Sequence, residues 1–105
     1  MSYRIDFVDD AHADLRALQK TDRVRVLDRI EHHLRHQPTA QSRSRVKHLR
    51  PGTYPPFRLR VDDLRVYYDV DENGGRVVVH AVIAKAQSTA WLDRATRAHA
   101  RGEKR

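Results

Sequence analysis

The sequence predicts an α+β domain, a helical hairpin lying on one face of a mainly antiparallel sheet, and three observations carry that prediction. Residues 57–68 alternate apolar and charged side chains on both sides of Asp62-Asp63. If that pair forms a two-residue hairpin turn, Val61 lies across from Leu64, Arg60 from Arg65, Leu59 from Val66 and Arg58 from Tyr67. The apolar residues then share one face and three arginines share the other. Two helical periodicities separated by a short break precede the hairpin, and a run of valines with β propensity follows it.

In chain order, Tyr3, Ile5 and Phe7 alternate with Arg4, Asp6 and Val8, a short first strand. Asp9 or Asp10 is placed to cap a helix whose stripe is Ala11, Leu15 and Leu18, ending near Lys20. After Thr21-Asp22, Val24, Leu27, Ile30 and Leu34 recur at three and four residues and define a second helix, which ends before Pro38. Residues 37–45 are polar and without period, a loop. Residues 46–49 have the composition of a short strand, and the prolines of residues 50–56 stop it. Asp71-Glu72-Asn73-Gly74-Gly75 is a turn signal between the hairpin and residues 76–84, whose valines suit a central strand covered on both faces. Residues 86–101 have helical composition, with Trp91, Leu92 and Ala95 as apolar contacts. The order read is β-α-α-β-β-β-α over one domain, 1–105, with a frayed tail from about residue 96.

The chain has 105 residues, with 21 Lys and Arg against 14 Asp and Glu, a net charge of +7. That excess favours a polyanionic partner. There is no cysteine, which removes disulfides and thiolate metal sites from consideration. The first residues are too charged for a signal peptide, and the longest apolar run, residues 77–84, is too short to span a bilayer. The expectation is a cytoplasmic protein with no membrane partner. His32 and His36 stand one helical turn apart beside His33, but no HExxH arrangement or carboxylate cluster accompanies them, so a solvated helix face, and no metal or other cofactor, is expected. Like charges directly across a ladder repel. A face that gathers Arg58, Arg60 and Arg65 therefore expects an anion.

The order of elements, together with Lys47-His48-Leu49-Arg50-Pro51-Gly52-Thr53-Tyr54, FRLRVDDLRVYYDV over residues 57–70 and the valine strand leading into Lys85, resembles the RelE/ParE toxins of type II toxin–antitoxin modules, more closely the RelE-like branch. The resemblance spans about residues 3–95 and implies a small cytoplasmic toxin neutralised by a cognate antitoxin. RelE-like members cleave mRNA in the ribosomal A site; ParE-like members inhibit DNA gyrase and cut no RNA. By resemblance, Arg58, Arg60 and Arg65 match the basic strand positions of the cleaving branch. Lys85 matches the basic position in the loop after the last strand, with Gln87 as a competing alignment, and Trp91 matches the aromatic beyond it. Two departures stand out. Pro56 replaces a lysine of RelE itself, and Trp91 replaces a tyrosine, so the hydroxyl is missing.

The implied chemistry has a 2′-hydroxyl attack the adjacent phosphorus while the 5′-oxygen leaves. Arginine suits the phosphoryl oxygens, being planar, bidentate and always charged, but for the same reason it is a poor base. Lys85, crowded by arginines, is the expected titrating group. His80 reads as a packing residue among valines, and His48 has no spacing to support a role. Tyr67, Trp91 and Lys47 are the expected RNA contacts, Tyr67 either stacking on a base or supporting Arg58. Asp69 is expected to pair with one of the arginines. The basic run from Arg94 onward reads as a solvated tail. The readings are thus a ribosome-dependent mRNA endonuclease, a gyrase inhibitor, or an inactive homologue that only binds its antitoxin.

Overall fold

The computed structural model describes residues 2–102. Five strands form one sheet: β1 (Arg4–Phe7), β2 (Val46–His48), β3 (Phe57–Val61), β4 (Leu64–Asp71) and β5 (Arg76–Ala84). Three helices accompany them: α1 (Asp9–Ala17), α2 (Lys20–Leu34) and α3 (Lys85–Ala100). The strand order is β1-β5-β4-β3-β2, with β1 parallel to β5 and every other pair antiparallel. The α+β architecture read from the sequence is the one present. The short strand read at residues 46–49 is present as β2, which pairs along the outer edge of β3, Val46 facing Leu59 and His48 facing Phe57.

The central hairpin has the register that its period-two pattern dictates, from Phe57 opposite Tyr68 to Val61 opposite Leu64. Asp62 turns the chain at φ 52°, a left-handed conformation that Asp tolerates better than most residues. Leu59, Val61, Val66 and Tyr68 consequently reach one face, where they are buried with Val77, Val79 and Val82 of β5. At the second turn Gly75 adopts φ 64°, and Gly74 donates to Asp71 Oδ1 at 2.9 Å, closing the loop into β5.

α1 and α2 cover the apolar face. No side chain caps α1; Val8 occupies the N-cap, and Asp9 and Asp10 lie in the first turn, where their charge favours the helix dipole. At the break between the helices Arg23 donates to the carbonyls of Leu15 and Leu18, at 3.5 and 3.3 Å, satisfying acceptors that the end of a helix leaves open. The buried stripe of α2 is Val26, Ile30 and Leu34. This corrects the expected stripe: Val24 is 58% and Leu27 39% exposed. Residues 26, 30 and 34 repeat at i+4 and stay on one line of the helix, whereas 24 and 27 rotate away from it. Each fully buried aliphatic of this set contributes about 1.5–3 kcal/mol.

β5 is central, and its valines are covered on both sides as expected, but its pairing with β4 slips once. Tyr67 faces Ala81 while Tyr68 faces Val79, so His80 is the extra residue of a bulge. Beyond the end of β1, Val82 N–H is accepted by Asp14 Oδ2 of α1 at 2.9 Å. A helix carboxylate thus replaces the missing strand. Burial pushes the Asp14 carboxyl up, Val82 opposes that shift, and Asp10 adds to it.

The opposite face is not left open, which corrects the sequence reading. α3 crosses it, burying Ser88, Ala95 and Ala98, and Tyr54 fastens the helix from the loop before β3. Tyr54 N–H donates to Thr96 Oγ1 at 3.1 Å, and Thr96 Oγ1–H donates to Tyr54 O at 3.2 Å. The Tyr54 ring stacks on His99 with centroids 3.7 Å apart. The tail expected from residue 96 is helical as far as Ala100; residues 103–105 lie outside the described residues. No described helix is long and apolar enough to cross a membrane.

Candidate nucleic-acid interface

The basic face is assembled by strand register. Lys47, Arg58, Tyr67 and Ala81 lie in one row across β2, β3, β4 and β5, and Arg60, Arg65 and Ile83 lie in the next. Alternation sends all of these side chains to the face opposite the helical hairpin. Arg60 and Lys47 are exposed and Arg58 is half-buried. Arg58 Nε is buried and has no hydrogen-bond partner among the described residues, a donor whose desolvation is uncompensated within the chain.

Arg65 differs from its neighbours. It is 5% exposed, and its Nη1 donates to Asp62 O at 2.8 Å and Leu64 O at 2.9 Å. One edge of the guanidinium therefore closes the hairpin turn. Burial, followed by the charges of Arg60 and Arg58, holds its pKa below the usual arginine value. An anion above the rows would offset that repulsion. Full protonation near neutrality persists because an arginine starts far above it.

Lys85 is exposed and follows Ala84, the register partner of Leu64. It lies in no loop: it is the first residue of α3, and its N–H donates to Asp63 O at 2.7 Å. The tip of the arginine hairpin thus sets the start of the last helix. Tyr67 is 3% exposed, and Trp91 stacks on it at 5.3 Å and 20°. Of the two roles expected for Tyr67, stacking on a base or supporting Arg58, the first meets a ring already covered, and half-buried Trp91 is the aromatic nearer to solvent. Gln87, the alternative to Lys85, lines a cavity of about 480 Å³ with Ile83, Trp91 and Arg94. Arg94, read from the sequence as tail, stands one turn beyond Trp91; that i+3 spacing is the signal that places it here.

Asp69 does not pair with an arginine as expected. It accepts Tyr54 Oη–H at Oδ2, 3.0 Å, and Val70 N–H at Oδ1, 2.8 Å. His80 Nε2 lies 3.4 Å from the same hydroxyl. This polar set holds α3 in place beside the basic rows, on the same face of the sheet. Burial, then Asp69, pushes the Tyr54 hydroxyl up to about 12, so it stays protonated at neutral pH. Among the described residues no group of three or more His, Cys, Asp or Glu converges in a way that could hold a metal ion.

Residues 5–88 match the family profile described as the ParE toxin of the type II toxin–antitoxin system parDE. The chain belongs to this toxin family. It is a RelE/ParE-type toxin, and solved structures agree on the fold. The toxin–antitoxin complex RelBE2 from Mycobacterium tuberculosis is similar at 26% identity and a TM-score of 0.64, covering 80% of this chain and 99% of the other. The archaeal RelE–RelB complex from Pyrococcus horikoshii OT3 is similar at 22% identity and a TM-score of 0.68, covering 84% and 100%. The isolated Escherichia coli RelE toxin gives 19% identity and a TM-score of 0.61, covering 91% and 98%. Among curated proteins no relative is found by sequence.

Proposed function

We propose that this RelE/ParE-type toxin inhibits translation as a ribosome-dependent mRNA endonuclease. The observation that carries the reading is the pair of adjacent basic rows, Lys47 with Arg58 and Arg60 with Arg65, on one rigid sheet face. Arg58 and Arg60 bind the phosphoryl oxygens of the scissile phosphate, and each such preorganised donor contributes about 10²- to 10³-fold in rate. Arg65 supplies charge from beneath while holding the turn. The 2′-hydroxyl attacks phosphorus, the 5′-oxygen leaves, and a cyclic phosphate forms. Lys85, at the hairpin tip, is the side chain proposed to move the proton. Trp91, half exposed over Tyr67, is the stacking surface for a base.

A second reading keeps the face but removes the chemistry: a grip on DNA gyrase. Two observations favour it. Part of the Arg65 guanidinium is spent on the carbonyls of its own hairpin, and Trp91 has no hydroxyl to share a proton. Under both readings the partner in the resting cell is an antitoxin, as in the complexes of the similar toxins from Mycobacterium tuberculosis and Pyrococcus horikoshii. An acidic or amphipathic segment of that antitoxin suits the basic rows, or exposed Val24 and Leu27 on α2.

Arg60→Ala is the discriminating variant, because the side chain is exposed and makes none of the turn bonds that confound Arg65→Ala. Induced alone, the wild type should stop growth and leave truncated ribosome-bound transcripts, with gyrase supercoiling unaffected. Arg60→Ala should lose both effects while keeping the wild-type circular dichroism. Supercoiling inhibition with intact transcripts transfers the protein to the second reading.

A further inference from the structure

His32 and His33 on the last turn of α2 and His36 just beyond it have no place in the function proposed above, yet the fold gives them a shared setting. His32, His33 and His36 line a cavity of about 400 Å³ together with Gln41, Ser42 and Arg45. The wall opposite α2 is held in shape by its own hydrogen bonds. Ser42 Oγ accepts the N–H groups of Arg45 and Val46 at 3.1 and 3.0 Å, and Gln41 Oε1 accepts His48 N–H at 3.1 Å. The Ser42 hydroxyl keeps its own proton to donate.

Among the described residues the lining contains no carboxylate. The two nearest acids on α2 are already engaged: Asp28 with Arg29 at 3.2 Å, and Glu31 with Arg35 through two bonds of 2.6 Å. The cavity is therefore cationic. It lies on the helical-hairpin side of the sheet, round the β2 edge from the basic rows, and the bond from Arg60 N–H to Arg45 O at 2.9 Å ties its loop wall to β3. Metal capture is the less fitting use, because no three such side chains among the described residues could hold an ion.

We propose that this cavity is a second anion site, which takes a phosphodiester group of the same RNA strand that lies along Arg58 and Arg60. Arg45 supplies the permanent charge, Ser42 a hydroxyl donor, and His33 a second charge when protonated. The site rests on the nucleic-acid reading of the arginine face and lengthens its track across the β2 edge. His33 is the group that makes it sensitive to pH. The charged and titratable groups facing it are His32, whose ring meets it edge-on at 4.8 Å, Arg29 on α2 and Arg45 on the loop. His36, one turn on, lies towards Glu31. Burial, then His32, Arg45 and Arg29, depress the His33 pKa. A phosphate among these cations reverses the repulsive part, so binding takes up a proton and tightens as pH falls.

The test is a titration of the full chain with inorganic phosphate, then with a short single-stranded oligoribonucleotide, at about pH 6 and about pH 8, on either side of the histidine range. Histidine side-chain resonances give the readout. Both ligands should move His33, and the oligoribonucleotide, whose diester charge is constant over this range, should bind more tightly at the lower pH. Arg45→Gln should weaken phosphate binding about tenfold, and His33→Gln should reduce the pH dependence of oligoribonucleotide binding; circular dichroism checks that both variants are folded. An oligonucleotide that binds through Arg60, and is lost in Arg60→Ala, but leaves His33 unmoved overturns this site and leaves the nucleic-acid reading standing. Phosphate binding without any oligonucleotide binding to the wild type overturns both. No response of His33 to either ligand overturns the site outright.

Discussion

Asp62 concentrates several constraints in one residue. Its φ of 52° disfavours any side chain; its carbonyl receives Arg65, and its carboxylate meets Arg25 Nη1 of α2 at 3.2 Å. The ion pair is exposed at both ends and stabilises little, whereas relief of the left-handed strain is worth about 1 kcal/mol. Asp62→Gly should therefore be neutral to slightly stabilising in urea unfolding, and Asp62→Val clearly destabilising. Asp14 supplies a pH test. Its carboxyl titrates above 3.8 in the folded chain, so the native state holds a proton that the unfolded state has released. Stability from this group is present below the unfolded value and is lost as pH rises through the folded one. Asp14→Asn retains an acceptor for Val82 N–H and does not titrate. Unfolding curves at a series of acidic pH values should show the wild type losing ground to this variant as pH rises.

Among the elements, the β3–β4 hairpin and α3 have opposite characters. The hairpin is held by a full ladder, and its tip touches both α2, through Arg25–Asp62, and α3, through Asp63–Lys85. α3 buries only small residues, and it depends on two aromatic stacks and on Tyr54. Trp91→Ala should uncover Tyr67 and cost less than the ~3–5 kcal/mol of a fully buried tryptophan. Chemical denaturation measures that loss, and quenching of tyrosine emission by acrylamide reports the exposed ring. Tyr54→Phe removes the donor to Asp69 and should cost about 1–3 kcal/mol, since the acceptor stays partly buried. The Tyr54 hydroxyl is raised from 10.0 to about 12, so its contribution is present below pH 10.0 and declines as pH rises towards 12. Tyr54→Phe should be the less alkali-sensitive protein.

For the whole molecule, a net charge of +7 becomes useful only because the sheet sorts it. Apolar side chains go to the helical hairpin, and Lys47, Arg58, Arg60 and Arg65 go to the other face. Binding to single-stranded RNA should weaken linearly in log affinity with log salt. Arg60→Ala should lower that slope by about 0.7, the share of one single-strand phosphate contact. A slope equal to that of the wild type would remove Arg60 from the phosphate track.

The hairpin register was legible in the sequence because both of its determinants are local: a period of two and a two-residue turn between matched apolar sets. The α+β class and the two helices on the apolar face were legible for the same reason. The short β2 strand was legible in composition alone; its pairing was not, since three residues make a strand only where an edge such as β3 receives them. Nor was the choice of Val26 over Val24 and Leu27, where two apolar lines share one helix and only the surface beneath selects between them. The covering of the arginine face by α3 lies furthest beyond local pattern. Its buried residues are Ser88, Ala95 and Ala98, which carry almost no hydrophobic signal, and its anchor, Tyr54, is 42 residues from Thr96. The sequence by itself determined which side chains share each face of the sheet. Only the tertiary structure decided which of the basic residues stay open to an anion, because that depends on a long-range contact between a proline-rich loop and a helix of small residues.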